Sequence, residues 1–143
     1  MARRHDALIP LTHDHHHALH EARALKQAAE QDEPQRVEAS RAFIAFFRAE
    51  SVKHFREEEE ELFPVVALEA EAPMDGIVRV LTEHVRLHAL VRALDADPAK
   101  AETMRELARL LRAHVRFEED ELFPAIERVA SATLATVQLA PRE

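Results

Sequence analysis

The chain reads as an all-α protein, an up-down-up-down four-helix bundle closed by a short C-terminal helix, and three observations lead there. Gly occurs once and Pro seven times in 143 residues, while Ala, Leu, Glu and Arg, which favour helices, are abundant. Apolar residues recur at helical spacing: Leu11, Ala18, Ala22 and Leu25 make one stripe, Val80, Leu87, Val91 and Leu94 a second, and Leu107, Leu110 and Leu111 a third. Between the stripes, Pro and acidic residues form short connections, and connections of a few residues force neighbouring helices to run antiparallel.

The first helix follows Pro10, with Thr12 as its expected N-cap, and runs to about Gln31. The second starts near Pro34, capped by Asp32 or Glu33. It continues to Pro64, whose missing N–H should kink or end it, with another turn or two before Pro73. Asp75 and Gly76 open the third, which runs to about Leu94. Asp97 and Pro98 open the fourth, which reaches Pro124 and continues briefly beyond it. The tail from Ser131 holds Leu134, Val137 and Leu139, which suit a short amphipathic helix packed across the bundle end. Together these make a single domain over residues 1–143, with the bundle at about 11–128 and the tail at 129–143. A chain of this length buries about two thirds of its unfolded surface, enough for one core.

Composition removes several functions. The formal net charge of −8 repels phosphates and anionic lipid, so nucleic acid and membrane surfaces are not expected partners. With no Cys there is no disulfide, thiolate zinc site or protein-ligated iron–sulfur cluster. The start of the chain lacks an apolar core of signal-peptide length, and no run approaches the roughly 18 apolar residues of a membrane span. A soluble cytoplasmic protein, monomer or homodimer, is expected. The absence of Tyr and Trp removes the usual side chains of a protein radical relay.

The most informative feature is a repeat. HFREEEEELFP from His54 returns as HVRFEEDELFP from His114, identical at eight of eleven positions. Residues four apart share a helix face, so His54 stacks with Glu58 and His114 with Glu118. One such pair is a commonplace of solvated helices, but two copies, each closing in Leu-Phe-Pro, point to a shared purpose. Histidines also interrupt the other apolar stripes: His15 lies between Leu11 and Ala18, and His84 between Val80 and Leu87. Counting at about 1.5 Å per residue brings His15 level with His54, and His84 with His114, within one or two turns.

A buried layer of imidazoles and carboxylates costs several kcal/mol unless partnered, and a metal ion resolves that cost. Neutral imidazole and carboxylate are ligands for iron, zinc, manganese or copper, while magnesium or calcium would not use so many His. Four or five His with two carboxylates exceed one tetrahedral zinc and suit two six-coordinate ions bridged by carboxylates. In the stretch His13, Asp14, His15, His16, His17 and His20, the stripe and the preceding Asp14 select His15, with His16 as the alternative. The others fall on outer faces, where adventitious zinc or nickel can bind without functional meaning. The acidic run from Glu57 to Glu61 covers every face, so at most one or two of its members are ligands.

These residues resemble the hemerythrin-like, or HHE cation-binding, domains over nearly the whole chain. That family's acidic residue followed by His is matched by Asp14-His15 and Glu83-His84. Its His, Glu four later, then Leu-Phe-Pro is matched by His54, Glu58 and Leu62-Phe63-Pro64, and by His114, Glu118 and Leu122-Phe123-Pro124. The resemblance implies two irons, with His15, His54, His84 and His114 as ligands and Glu58 and Glu118 as bridges. Zinc or manganese is possible at the same donors. Oxygen-carrying members have a further His one turn on in the third helix, where His88 stands, and place the fourth-helix carboxylate where this chain has Glu119, the alternative to Glu118. Ferritin-like bundles instead use Glu followed by His three residues later, and no His here has Glu three places before it.

The function implied is a non-haem di-iron protein that binds or senses dioxygen or nitric oxide. A seventh donor from His88 would favour it by saturating one iron and leaving the other open. The alternatives are an enzyme acting on peroxide or other reactive species, and an iron-responsive or iron-storing module.

Overall fold

The computed structural model describes residues 3–140 and 142. Among them there is no strand, and the chain is carried by four helical rods. The first rod is α1 (Ile9–Ala28), preceded by a single 3-10 turn at Asp6–Leu8. The second joins α2 (Glu33–Phe46), α3 (Val52–Glu57) and α4 (Phe63–Val66) through π-helical turns at Phe47–Ser51 and Glu58–Leu62. The third is α5 (Met74–Ala96), and the fourth joins α6 (Ala101–Phe117) to α7 (Phe123–Leu134) through a π-helical turn at Glu118–Leu122. α1 packs on α2 and α6, and α5 packs on the same two helices, so the rods surround one interior.

Two apolar cores fill that interior, one at each end. The first gathers Leu25, Phe43, Phe47, Leu94, Met104 and Leu107 among others. The second holds Leu11, Leu62, Val66, Val80, Phe123 and Ile126 among others. Between them lies the polar layer. On α1 the order is Leu11, His15, Ala18, and on α5 it is Val80, His84, Leu87. The interrupted stripes of the sequence are thus the crossing from one core into the other.

The π-helical turns explain why Leu-Phe-Pro closes each repeat. Proline lacks an N–H, and its ring clashes with the carbonyl four residues back in an α-helix. Pro64 and Pro124 neither end nor sharply break their rods, because the turn just before each is widened: Phe63 N–H bonds to the Glu58 carbonyl, and Phe123 N–H to that of Glu118. The extra residue rotates the remainder of each rod by about 100°. This keeps Leu62, Phe63 and Val66 buried on one side, and Leu122, Phe123 and Ile126 on the other. The single glycine, Gly76, permits a close approach here, since a Cβ on it would stand 2.9 Å from Leu122 Cδ1.

Several expected boundaries move. Thr12 does not cap α1, which starts at Ile9 with Pro10 in its first turn, where no N–H is needed. Its hydroxyl donates instead to Glu119 Oε2 at 2.8 Å. α1 ends at Ala28 rather than about Gln31, and Asp32 holds the N-cap position of α2 without a side-chain bond. α6 opens at Ala101, because Asp97–Lys100 closes its own turn, Lys100 N–H to Asp97 carbonyl at 3.2 Å. α7 bends at Ala130 (φ −130, ψ 20) and runs one more turn to Leu134, which is buried. Val137 and Leu139 lie beyond it, outside any helix, so the helix expected to span them stops short.

Candidate metal centre

His15, His54, Glu58, His84, His114 and Glu118 are all buried, and the structure brings them together between the two cores. Two groups have ligand atoms within 4.8 Å of one another: His15, His54, Glu58 and Glu118, and Glu58, His84 and His114. The rings pair, His15 with His54 at 4.8 Å between centroids and His84 with His114 at 5.0 Å. The carboxylates lie between the pairs. Glu58 faces His54 at 3.5 Å and His84 at 3.2 Å, while Glu118 faces His114 and His15, both at 3.2 Å. Each carboxylate thus meets one ring of its own rod and one from a neighbouring rod.

All four imidazoles turn Nε2 inward, because a carboxylate holds each Nδ1. Asp14 accepts from His54 at 2.8 Å and Glu83 from His114 at 2.8 Å. Glu59 accepts from His84 at 2.7 Å and Glu119 from His15 at 2.6 Å. This fixes ring orientation and raises the basicity of the inward nitrogen, as in sites where a carboxylate backs a metal-bound histidine. The arrangement is two-fold in pattern: the acidic residue before a helical His serves the neighbouring rod, and the one after a bridging Glu serves the opposite pair.

The inward atoms are left without partners. His54, His84 and His114 Nε2, both oxygens of Glu58 and Glu118 Oε2 are buried and make no hydrogen bond. Each such group costs on the order of 1–3 kcal/mol, so a cluster of six is unfavourable unless a cation meets them. Their protonation reflects the strain. Burial and the charge of Glu118 push the Glu58 carboxyl well above the usual range. Burial would raise Glu118 also, but the neighbouring Glu58 carboxyl and the His114 and His15 rings hold it well below. Burial lowers His114, yet Glu118 and Glu83 outweigh this and raise it to about 9. His84 falls to about 3 through burial and the nearby charge of His114. A cation with nitrogen and oxygen ligands fits this donor set and replaces the shared protons.

Residues 7–126 match the Hemerythrin HHE cation binding domain. The chain belongs to this family. No curated protein and no solved structure shows significant similarity to it. Within this hemerythrin-like domain the alternatives of the sequence can be placed. His15 is buried and His16 exposed. Glu118 lies inside the donor cluster, and Glu119 backs the His15 ring. His88 joins neither donor group. It is exposed, with its ring edge-on to Phe47 at 5.3 Å and Phe55 at 6.0 Å, so these phenyl rings stand on its inner side. Phe55 stacks on His84 at 3.8 Å, filling the layer one turn further along. His13, His17 and His20 are exposed as well.

The backing carboxylates were the part that sequence reasoning missed: Asp14 and Glu83 entered only as markers of the following His, and Glu59 as part of a solvated run. A signal existed. An acid precedes the His of α1 and of α5, and Glu-Glu stands at 58–59 and at 118–119 in both copies of the repeat.

A cavity of about 20 Å³ adjoins the site, lined by His15, His54 and His114, by the apolar Phe46, Phe55 and Leu111, and by polar residues that include Asp14 and Glu50. Among the described residues, no helix is long and apolar enough to cross a membrane.

Proposed function

We propose that this is a non-haem di-iron protein that binds or senses dioxygen or nitric oxide inside one cytoplasmic domain whose rods run up-down-up-down. The observation that carries it is the cluster of inward, unpartnered donors beside a small cavity partly lined by apolar side chains. His15 and His54 would hold one iron and His84 and His114 the other, with Glu58 and Glu118 shared; zinc or manganese can occupy the same donors. Bound iron supplies reversible electron exchange with a small ligand. The protein's part is to keep that ligand dry. Phe46, Phe55 and Leu111 exclude water, the four backing carboxylates fix the rings, and the Glu58–Glu118 pair exchanges protons for cation charge. A cavity of about 20 Å³ has room for a molecule the size of one water, which excludes bulky organic substrates.

The exposure of His88 favours a second reading. Without it each iron would have two His and a share of the carboxylates from the protein, so neither would be saturated. Open positions on both would suit a ligand that addresses the two irons together, and peroxide is such a ligand, which supports a peroxide-detoxifying enzyme.

The test is the metal content and visible spectrum of protein expressed with iron, recorded anaerobically and after air, beside His54→Ala. About two irons per chain and a visible band reversed on deoxygenation support binding. A band that decays with repeated consumption of peroxide supports turnover. No iron and no band in either protein overturns the di-iron reading.

A further inference from the structure

Two arginines that lie outside the helices bear on the same half of the centre. Arg142, beyond α7, sets Nε 2.9 Å from Asp14 Oδ1 and Nη2 2.9 Å from Asp14 Oδ2, and also pairs with Glu57. The Asp14 carboxylate that it grips is the one that holds His54. Arg4, ahead of the first turn, reaches the Glu119 carbonyl at 2.8 Å, Glu119 Oε1 at 3.4 Å and Glu127 at 3.0 Å. Glu119 is the carboxylate that holds His15. Both rings of one pair are thus fastened, through a carboxylate, to chain segments flanking the bundle.

The other pair is held differently. Glu83, behind His114, pairs with Arg79 of its own helix at 3.2 Å. Glu59, behind His84, has a side chain 38% exposed and forms no ion pair with any arginine among the described residues. The solvent side differs too. Arg142 borders a recess of about 370 Å³ that also touches Asp14, Lys53, His54 and Glu57. This recess shares Asp14, Glu50 and His54 with the small cavity beside the site, so it is the water-facing approach to the His15–His54 pair.

We propose that the flanking segments, through Arg4 and Arg142, are latches that govern retention of the cation at the His15–His54 pair alone, making the two positions of the centre unequal. The inference rests on the two-cation reading above and adds to it which position exchanges. A forked guanidinium on a carboxylate fixes its plane, and the fixed carboxylate fixes the imidazole. Releasing the fork frees His54 to turn and uncovers its approach, while His84 and His114 keep their supports. Arg4 and Arg142 are positioning residues in this scheme and touch no cation.

The test uses the full chain loaded with cobalt(II), with release into excess chelator followed by the visible bands of the bound ion. In R142Q one equivalent should leave about 10–100-fold faster than from the unaltered protein, and the second at the unaltered rate. R4Q should speed the same single equivalent, and adding R79Q to R142Q should speed both. Helix content of each metal-free variant is recorded by circular dichroism, and R4Q carries the test should R142Q fail to fold. Equal acceleration of both ions would mean a general loosening of the bundle and would overturn the latches, as would unchanged release. Binding of fewer than two cobalt ions by the unaltered protein would overturn the two-cation reading itself.

Discussion

The carboxylate of Glu118 reaches from the fourth rod across to His15 on the first, Oε1 to Nε2 at 3.2 Å. Glu58 makes the matching reach to His84 on the third. Because both carboxylates are shared, neither ring pair owns a complete ligand set. Glu118→Ala should therefore lose both cations, binding less than one equivalent where the unaltered protein binds two. Glu119→Gln removes only the charge behind His15 and should keep two cations at about 10–100-fold lower affinity. Equilibrium dialysis against a chelator of known affinity separates these outcomes, and the reverse ranking would make Glu119 the bridge.

His88→Ala should leave cation stoichiometry and affinity unchanged, since its exposed ring lies outside both donor groups. Metal analysis after gel filtration checks this. A loss of one equivalent would show that His88 swings inward when the centre is filled.

Metal binding should release protons and strengthen as pH rises. Despite burial, His114 is held protonated up to about 9 by Glu118 and Glu83, and Glu58 retains its proton well above the usual carboxyl range. A cation needs the ring nitrogen neutral and the carboxylate ionised, so it displaces both protons. Calorimetric titration in two buffers of different ionisation enthalpy gives the number released, and affinity should climb until pH passes about 9. A binding constant independent of pH would contradict the assignment.

The metal-free protein should be most stable near the ordinary histidine pKa. His114 in the folded state keeps its proton to about 9, against 6.5 unfolded. Its contribution is therefore complete below 6.5 and lost as pH rises through 9. His84 goes the other way: burial and the charge of His114 lower it to about 3, so stability falls as pH drops from 6.5 and the unfolded ring takes up a proton. Asp14 adds an acid limb. Burial would raise it, but His54 and Arg142 hold it at about 2, so its contribution, present above 3.8, is lost as pH falls through 2. Urea midpoints measured across this range should rise and then fall, and a monotonic profile would be inconsistent with opposed histidines.

Chelation should lower the melting temperature. At a metal concentration of about 100 Kd, one site adds about 2.7 kcal/mol, which in a domain of this size corresponds to roughly 5–10 °C. Calorimetric melts with and without chelator measure it, and coincident melts would leave the orphaned donors satisfied by some other means.

Much of this centre was legible because it is written twice. The repeat placed His54, Glu58, His114 and Glu118 on equivalent faces, and the apolar stripe with the preceding Asp14 singled out His15 ahead of His16. The features that escaped notice depend on geometry that four-residue spacing does not carry. A π-helical turn inserts a residue without any change of residue type, so Pro64 and Pro124 looked like helix breakers when the turn before each had already made room. The backing role of Asp14, Glu59, Glu83 and Glu119 was hidden because their partners lie on other rods, at separations from 25 to 104 residues. His88 has the spacing of a ligand, but its ring is exposed with Phe47 and Phe55 beside it, which spacing alone does not reveal.

The crosswise sharing of Glu58 and Glu118 also bears on chain integrity. The rods of α1 to α4 and those of α5 to α7 are joined by the stretch 67–73, where Leu68 is 87% exposed. A protease cutting there would sever the backbone but not the centre, because each half supplies a carboxylate to a histidine of the other. In a protein without Cys, two cations would then serve as its covalent-like staples: the nicked halves should migrate together until a chelator parts them.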